Sequence, residues 1–185
     1  IDAKRFIPAL PEKNFMDLHP PVIQAATERM RVAYFVGCAT KYLFPRVGSA
    51  AVHVLNNHDV TLIVPRQQVC CGLMAFGSGD WESSRKMALQ NIEAFSGEKV
   101  DYIITTCASC GAALKKYYPM LFENASTDIK NKVTDFSSKI IDISEFLINK
   151  LNMLGQASQA VLNTSDKKIK VTYHDPCHLH RSQGV

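Results

Sequence analysis

The chain has 185 residues, 46% apolar and 21% charged, with a net charge of +4. A chain of this length buries about 70% of its unfolded surface and holds a core without staples, which excludes a disordered tail. The charge is too small and too scattered for a nucleic-acid surface, and the Lys-rich stretches at 130–139 and 167–170 read as solvated. No apolar run approaches the ~18 residues of a membrane helix. The start, Ile1-Asp2-Ala3-Lys4-Arg5, lacks both the apolar region of a secretory signal and an initiator Met. The chain thus reads as a piece of something longer, or as a processed product. The expected compartment is the cytoplasm, or the inner face of a membrane as a peripheral protein.

Residues 1–30 carry Pro8, Pro11, Pro20 and Pro21 and read as a linker or wrap-around arm, with a short helix over 22–30. Val32–Val36 is a short apolar strand closed by Gly37-Cys38. A helix is predicted over 46–57, with Val47, Ala50, Ala51, Val54 and Leu55 on its apolar face. Val60–Val64 is a second strand, stopped by Pro65 and followed by Cys70-Cys71-Gly72. Residues 80–95 read as a long helix capped by Ser78 or Asp80, with Trp81, Ala88, Ile92 and Phe95 among its apolar contacts. Gly77-Ser78-Gly79 before it reads as a loop, because Glu82 stands where a dinucleotide fingerprint needs a third Gly. Val100–Thr105 is a third strand, ending at Cys107. A helix from Ser109 to Tyr117 is expected to stop at Pro119, and a weaker one covers 128–136. Ile140–Leu154 reads as a helix ended by Gly155, 156–168 as a polar linker, and Ile169–Tyr173 as a fourth strand before His174-Asp175-Pro176-Cys177. Short apolar strands alternating with helices predict an α/β fold with a Rossmann-like parallel sheet and flanking helices.

Six cysteines in 185 residues, about 3%, fall well below a disulfide scaffold. In a reducing compartment, clustered thiols are metal ligands or redox groups. All six follow predicted strands: Cys38 the first, Cys70 and Cys71 the second, Cys107 and Cys110 the third, Cys177 the fourth. The carboxyl ends of parallel strands share one edge, where ligands bind. Five thiols could therefore converge there, as a soft iron or zinc site requires. The vicinal pair must sit on bent backbone, or serve a centre large enough to span both sulfurs, because adjacent side chains in extended backbone diverge. That favours a multi-iron cluster over one zinc. Three other readings stand beside it. Cysteines at strand ends are often simply packed. Zinc needs four closed ligands and usually shows two CxxC pairs. A thioredoxin-like dithiol at Cys107 and Cys110 leaves Cys38, Cys70 and Cys71 unexplained. His174, Cys177, His178 and His180 form a further candidate metal group, weighed against turn and cap hydrogen bonds.

The order C…CCG…CxxC, with intervals of 31 and 35 residues, resembles the cysteine-rich CCG domain of heterodisulfide reductase. The same domain occurs in iron–sulfur subunits of glycolate oxidase, anaerobic glycerol-3-phosphate dehydrogenase and lactate-utilisation complexes. Asp101–Thr106, Leu114–Pro119 and His174-Asp175-Pro176-Cys177-His178-Leu179 add to the likeness. The resemblance implies a first CCG domain over 31–155, with a complete repeat over about 31–119, and the start of a second repeat at 169–185. It further implies a four-iron cluster, cubane or non-cubane, on Cys38, Cys70, Cys71, Cys107 and Cys110, with Cys177 belonging to a second site. The implied partners are a flavin-containing dehydrogenase subunit and a quinone or other electron carrier. Two features depart from the family: no ferredoxin run is present, and the second repeat lacks its CCG.

Overall fold

The computed structural model describes residues 9–153, 170 and 172–185. Five strands form one sheet in the order β1-β3-β2-β4-β5. They are β1 (Val22–Ile23), β2 (Met30–Phe35), β3 (Val60–Ile63), β4 (Ile103–Thr105) and β5 (Ile140–Asp142). β2 pairs in parallel with both β3 and β4, and β4 with β5; only β1 runs antiparallel, on β3. The expected α/β fold with a mostly parallel sheet is present.

The strands alternate cleanly between two cores, as the pleat dictates. Val32, Tyr34, Leu62, Ile104 and Ile141 face one side, where they meet α1 (Phe15–Leu18), α3 (Pro45–Asn56) and α9 (Ile143–Asn149). Ala33, Phe35, Ile63, Ile103 and Ile140 face the other, against α5 (Trp81–Ser96), α7 (Tyr118–Leu121) and α8 (Thr127–Ser138). Burial on both faces explains why β2 and β3 read as continuous apolar runs.

The order places a switch point at β2. The connection from β2 to β3 leaves on one side, and the connection from β3 to β4 returns to the other. Such a switch opens a crevice beyond the carboxyl end of the central strand. Three short helices start at that edge: α2 (Cys38–Tyr42) after β2, α4 (Leu73–Gly77) after β3, and α6 (Ala108–Ala112) after β4.

Several expectations need correction. Val22–Ile23 is strand, not helix, and Phe15 of the N-terminal segment is fully buried, edge-on to Tyr34 with ring centroids 5.6 Å apart. The buried face of α3 is Pro45, Gly48, Ala51, Val52 and Leu55; Val47 and Ala50 are exposed, because Gly48 rather than Val47 lies under Phe15. Trp81 is exposed at the start of α5, whereas Asp80 caps that helix as expected. Pro119 does not end its helix. The backbone widens into a π-helical turn over Ala113–Tyr117, in which Tyr118 N–H bonds to Ala113 O, and helix continues to Leu121. The wider turn takes up the position where proline offers no N–H. Ile140–Leu154 is not one helix: Ile140–Asp142 pairs with β4, and Asp142 then caps α9 by accepting from Ser144 N–H. Of the strand expected over 169–173, Lys170, Thr172 and Tyr173 carry no strand, and the rest lies outside the described residues, as does the linker 156–168. A final helix, α10 (Cys177–Gln183), follows.

Candidate metal centre

The five cysteines Cys38, Cys70, Cys71, Cys107 and Cys110 meet at the switch-point edge. Cys38 opens α2 and is exposed; Cys70 and Cys71 precede α4; Cys107 caps α6 and Cys110 lies within it. Their sulfurs form a continuous row. Cys38 and Cys70 Sγ are 3.9 Å apart. Cys71 stands close enough to Cys70 and to Cys110, and Cys110 to Cys107, for these thiols to shift one another's ionisation. None of the six cysteines is in a disulfide.

Two glycines make the row close. Gly72 stands in left-handed backbone at φ 77°, which bends the chain directly after the vicinal pair. Gly37 has φ 73°, and a Cβ there would stand 3.0 Å from Cys110 Sγ. The end of β2 therefore lies directly against the third cysteine segment.

The electrostatics alternate along the row. The neighbouring Cys110 and Cys70 thiols, aided by the Leu73 backbone N–H, hold the Cys71 thiol well below its ordinary range. Cys107 is also lowered, by Cys110 and by backbone N–H groups at the start of α6. Cys110, buried beside Cys107 and Cys71, is pushed far up, as is Cys70 beside Cys71. Helix starts carry unpaired N–H donors, so they favour negative sulfur. The Cys110 N–H points at Cys107 Sγ at 3.5 Å.

Three buried polar residues that sequence reasoning missed hold this edge in shape. Gln68 Oε1 accepts from Val36 N–H at 2.8 Å, while its Nε2 donates to Tyr34 O and Pro65 O. The loop after β3 is thus tied to the end of β2. Asn91 is fully buried; Oδ1 accepts from Val69 N–H at 2.8 Å, and Nδ2 donates to Cys70 O and Tyr118 Oη, each at 3.0 Å. Ser84 Oγ donates to Gly72 O at 3.2 Å. A polar residue on the buried stripe Ala88–Ile92–Phe95 was the available signal for Asn91.

Cys177 is exposed at the start of α10, and no hydrogen bond joins it to the row among the described residues. The group His174, Cys177, His178 and His180 does not gather. His178 Nδ1 hydrogen-bonds Ser109 Oγ at 3.0 Å, and His180 faces Asp175 at 3.8 Å. Among the described residues, no three His, Cys, Asp or Glu side chains stand in a single-ion arrangement. None of the described helices is long and apolar enough to cross a membrane.

Residues 32–115 match the family described as CCG: Cysteine-rich domain. The chain is 34% identical over 173 residues to an uncharacterised iron–sulfur protein of Methanocaldococcus jannaschii, covering 94% of this chain and 30% of that protein. It is 36% identical to a subunit of the fumarate reductase (CoM/CoB) of Methanothermobacter marburgensis, covering 84% of this chain and 27% of that subunit. It is 31% identical to lactate utilization protein A 2 of Bacillus cereus, covering 84% of this chain and 60% of that protein. The chain thus spans about a third or less of the first two relatives. The match to the CCG cysteine-rich domain family spans the segment, residues 32–115, in which all five gathered sulfurs lie.

Proposed function

We propose that this chain holds an iron–sulfur cluster and serves electron transfer within a larger oxidoreductase. The observation that carries the reading is the row of five sulfurs brought from three strand ends to one edge. The donor set fits the group: soft sulfur throughout, with two thiols already favouring the ionised form that metals bind. A row closed through successive neighbours suits a centre of several metals better than one ion. Cys38, Cys70, Cys71, Cys107 and Cys110 would hold it, as a four-iron cluster of cubane or non-cubane type. When bound, such a cluster accepts and releases single electrons. The chain's own part is to orient the sulfurs, donate N–H groups to them, and bury Cys71 and Cys110 from water. A flavin-containing dehydrogenase subunit as donor, and a quinone or another carrier as acceptor, complete the reading. Cys177, with residues 169–185, opens a second repeat whose cluster is separate. Two of the relatives bear the names of a fumarate reductase subunit and a lactate utilization protein, which supports an oxidoreductase setting.

The test is anaerobic reconstitution with ferrous iron and sulfide, followed by metal and acid-labile sulfide analysis and visible spectroscopy. Iron and sulfide in similar amounts, with broad visible absorption, are expected. One zinc per chain, or no metal at all, overturns the reading.

One observation favours a second reading. Cys107 caps α6 with a lowered thiol pKa and accepts from the Cys110 backbone N–H, the setting of a reactive thiol in a CxxC pair. A metal-free chain that exchanges disulfides through Cys107 would establish it.

A further inference from the structure

We propose that α10 is a positioning element for the Cys107–Cys110 turn, acting through His178 and Gln183. The two residues between those cysteines are Ala108 and Ser109, and α10 grips each of them. Gln183 Nε2 donates to Ala108 O at 2.9 Å and to His178 O at 3.0 Å. His178 Nδ1 hydrogen-bonds Ser109 Oγ at 3.0 Å. The two bonds come from one helix, and the second Gln183 bond ties its amide to the backbone of His178.

The fit is close. A Cβ on Gly111 would collide with the Gln183 amide, so the amide occupies the space that the glycine leaves open. Gln183 Oε1 is itself buried without a donor. A buried, unpaired acceptor carries a cost, which the two Nε2 bonds and the packing of α10 on α6 offset. The grip matters because α6 has only five residues before the backbone widens into the π turn. So short a helix has little rigidity of its own. The relative placement of Cys107 and Cys110 sulfurs depends on the Ala108–Ser109 segment, which α10 holds by the Ala108 carbonyl and the Ser109 hydroxyl. Partners behind the ligands commonly set ligand orientation in metal sites. The thiol-positioning role stands on the geometry alone. The cluster-directed role rests on the function proposed above.

The first arm uses the metal-free, reduced chain. Alkylation by iodoacetamide is followed cysteine by cysteine by mass spectrometry. His178→Ala and Ser109→Ala should each speed modification of Cys107 and Cys110 about five-fold, the population change that one lost hydrogen bond produces. The double variant should be no faster than either single one, because both remove the same bond. Cys38, on α2, should keep its rate. Gly111→Ala displaces the Gln183 amide without removing it and should act in the same direction. Unchanged rates at Cys107 and Cys110, or equal acceleration at Cys38, overturn the proposal. The second arm uses the chain reconstituted with ferrous iron and sulfide. His178→Ala should alter the paramagnetic resonance signature of the reduced centre at unchanged iron content, and His178→Gln should restore it. An unaltered signature removes the cluster-directed role. A wild-type chain that takes up no iron defeats the proposed function, and the positioning role is then decided by the alkylation rates.

Discussion

At the scale of single residues, the site depends on buried amides as much as on thiols. Asn91 satisfies Val69 N–H and Cys70 O at once, and it also reaches Tyr118. Asn91→Ala leaves these buried backbone groups without that partner. We expect a loss of about 1–3 kcal/mol in denaturant unfolding, the range for orphaned buried polar groups. Asn91→Asp should be nearly as costly, since a carboxylate cannot donate to the Cys70 carbonyl. A loss below about 0.5 kcal/mol, the level of an ordinary surface substitution, would show that this clamp is dispensable. The convergence of five cysteines was legible, because each follows one of three predicted strands that the sheet contains, and parallel strands end at one edge. The clamps were not. Gln68 and Asn91 are ordinary polar residues by type, and only the three-dimensional closeness of the β2 and β3 ends gives them partners. The bend that unites the vicinal pair was legible only as a requirement; Gly72 at positive φ meets it.

At the scale of elements, the N-terminal segment is bound to the sheet through α1. Phe15 sits under Gly48, where a Cβ would stand 2.6 Å from its ring. His19, just after α1, hydrogen-bonds Ser49 Oγ at 2.8 Å and packs against Phe15, with the ring centroids 4.6 Å apart and the planes tilted by 33°. Arg66 donates to Met16 O at 2.7 Å and to His19 O. Burial, and then the Arg66 charge, hold the His19 pKa below 6.5. The unfolded chain therefore takes up a proton near that pH while the folded chain still refuses it. This contribution to stability is complete above about 6.5 and is lost as pH falls from there through the lowered folded value. His19→Gln keeps a polar partner for Ser49 without titrating. Melting temperatures between about pH 7 and pH 5 should fall less steeply in His19→Gln than in the parent chain. Parallel slopes would show that the ring titrates equally in both states. Strands β2, β3 and β4 were legible as apolar runs, to within a few residues. β5 was not: Ile140-Ile141-Asp142 continues smoothly into the apolar spacing of α9, and only pairing with β4 makes it strand. β1 is two residues long and exists through β3. Pro119 misled for a physical reason, since a π turn can carry helix past a proline.

At the scale of the whole molecule, the strand order places the thiols. Because β2 lies between β3 and β4, three separate connections release their cysteines around one crevice. The row runs from exposed Cys38 to buried Cys71 and Cys110, so a centre held there would reach from the surface into the core. Cys177 arrives by a different route. Its helix packs against α6, yet its thiol is exposed and outside the row. The two cysteines are thus expected to separate cleanly on substitution. Cys71→Ser removes the sulfur that lies between Cys70 and Cys110, at the middle of the row. Serine's oxygen is a poor match for a soft metal centre, and reconstituted iron per chain should fall by more than half. Cys177→Ser leaves His178 and Gln183 on α6 and removes no sulfur from the row. Its iron content, visible spectrum and paramagnetic resonance should equal those of the parent. Iron lost equally from both variants would place Cys177 among the ligands of the first centre, and residues 169–185 would then complete this site instead of opening another.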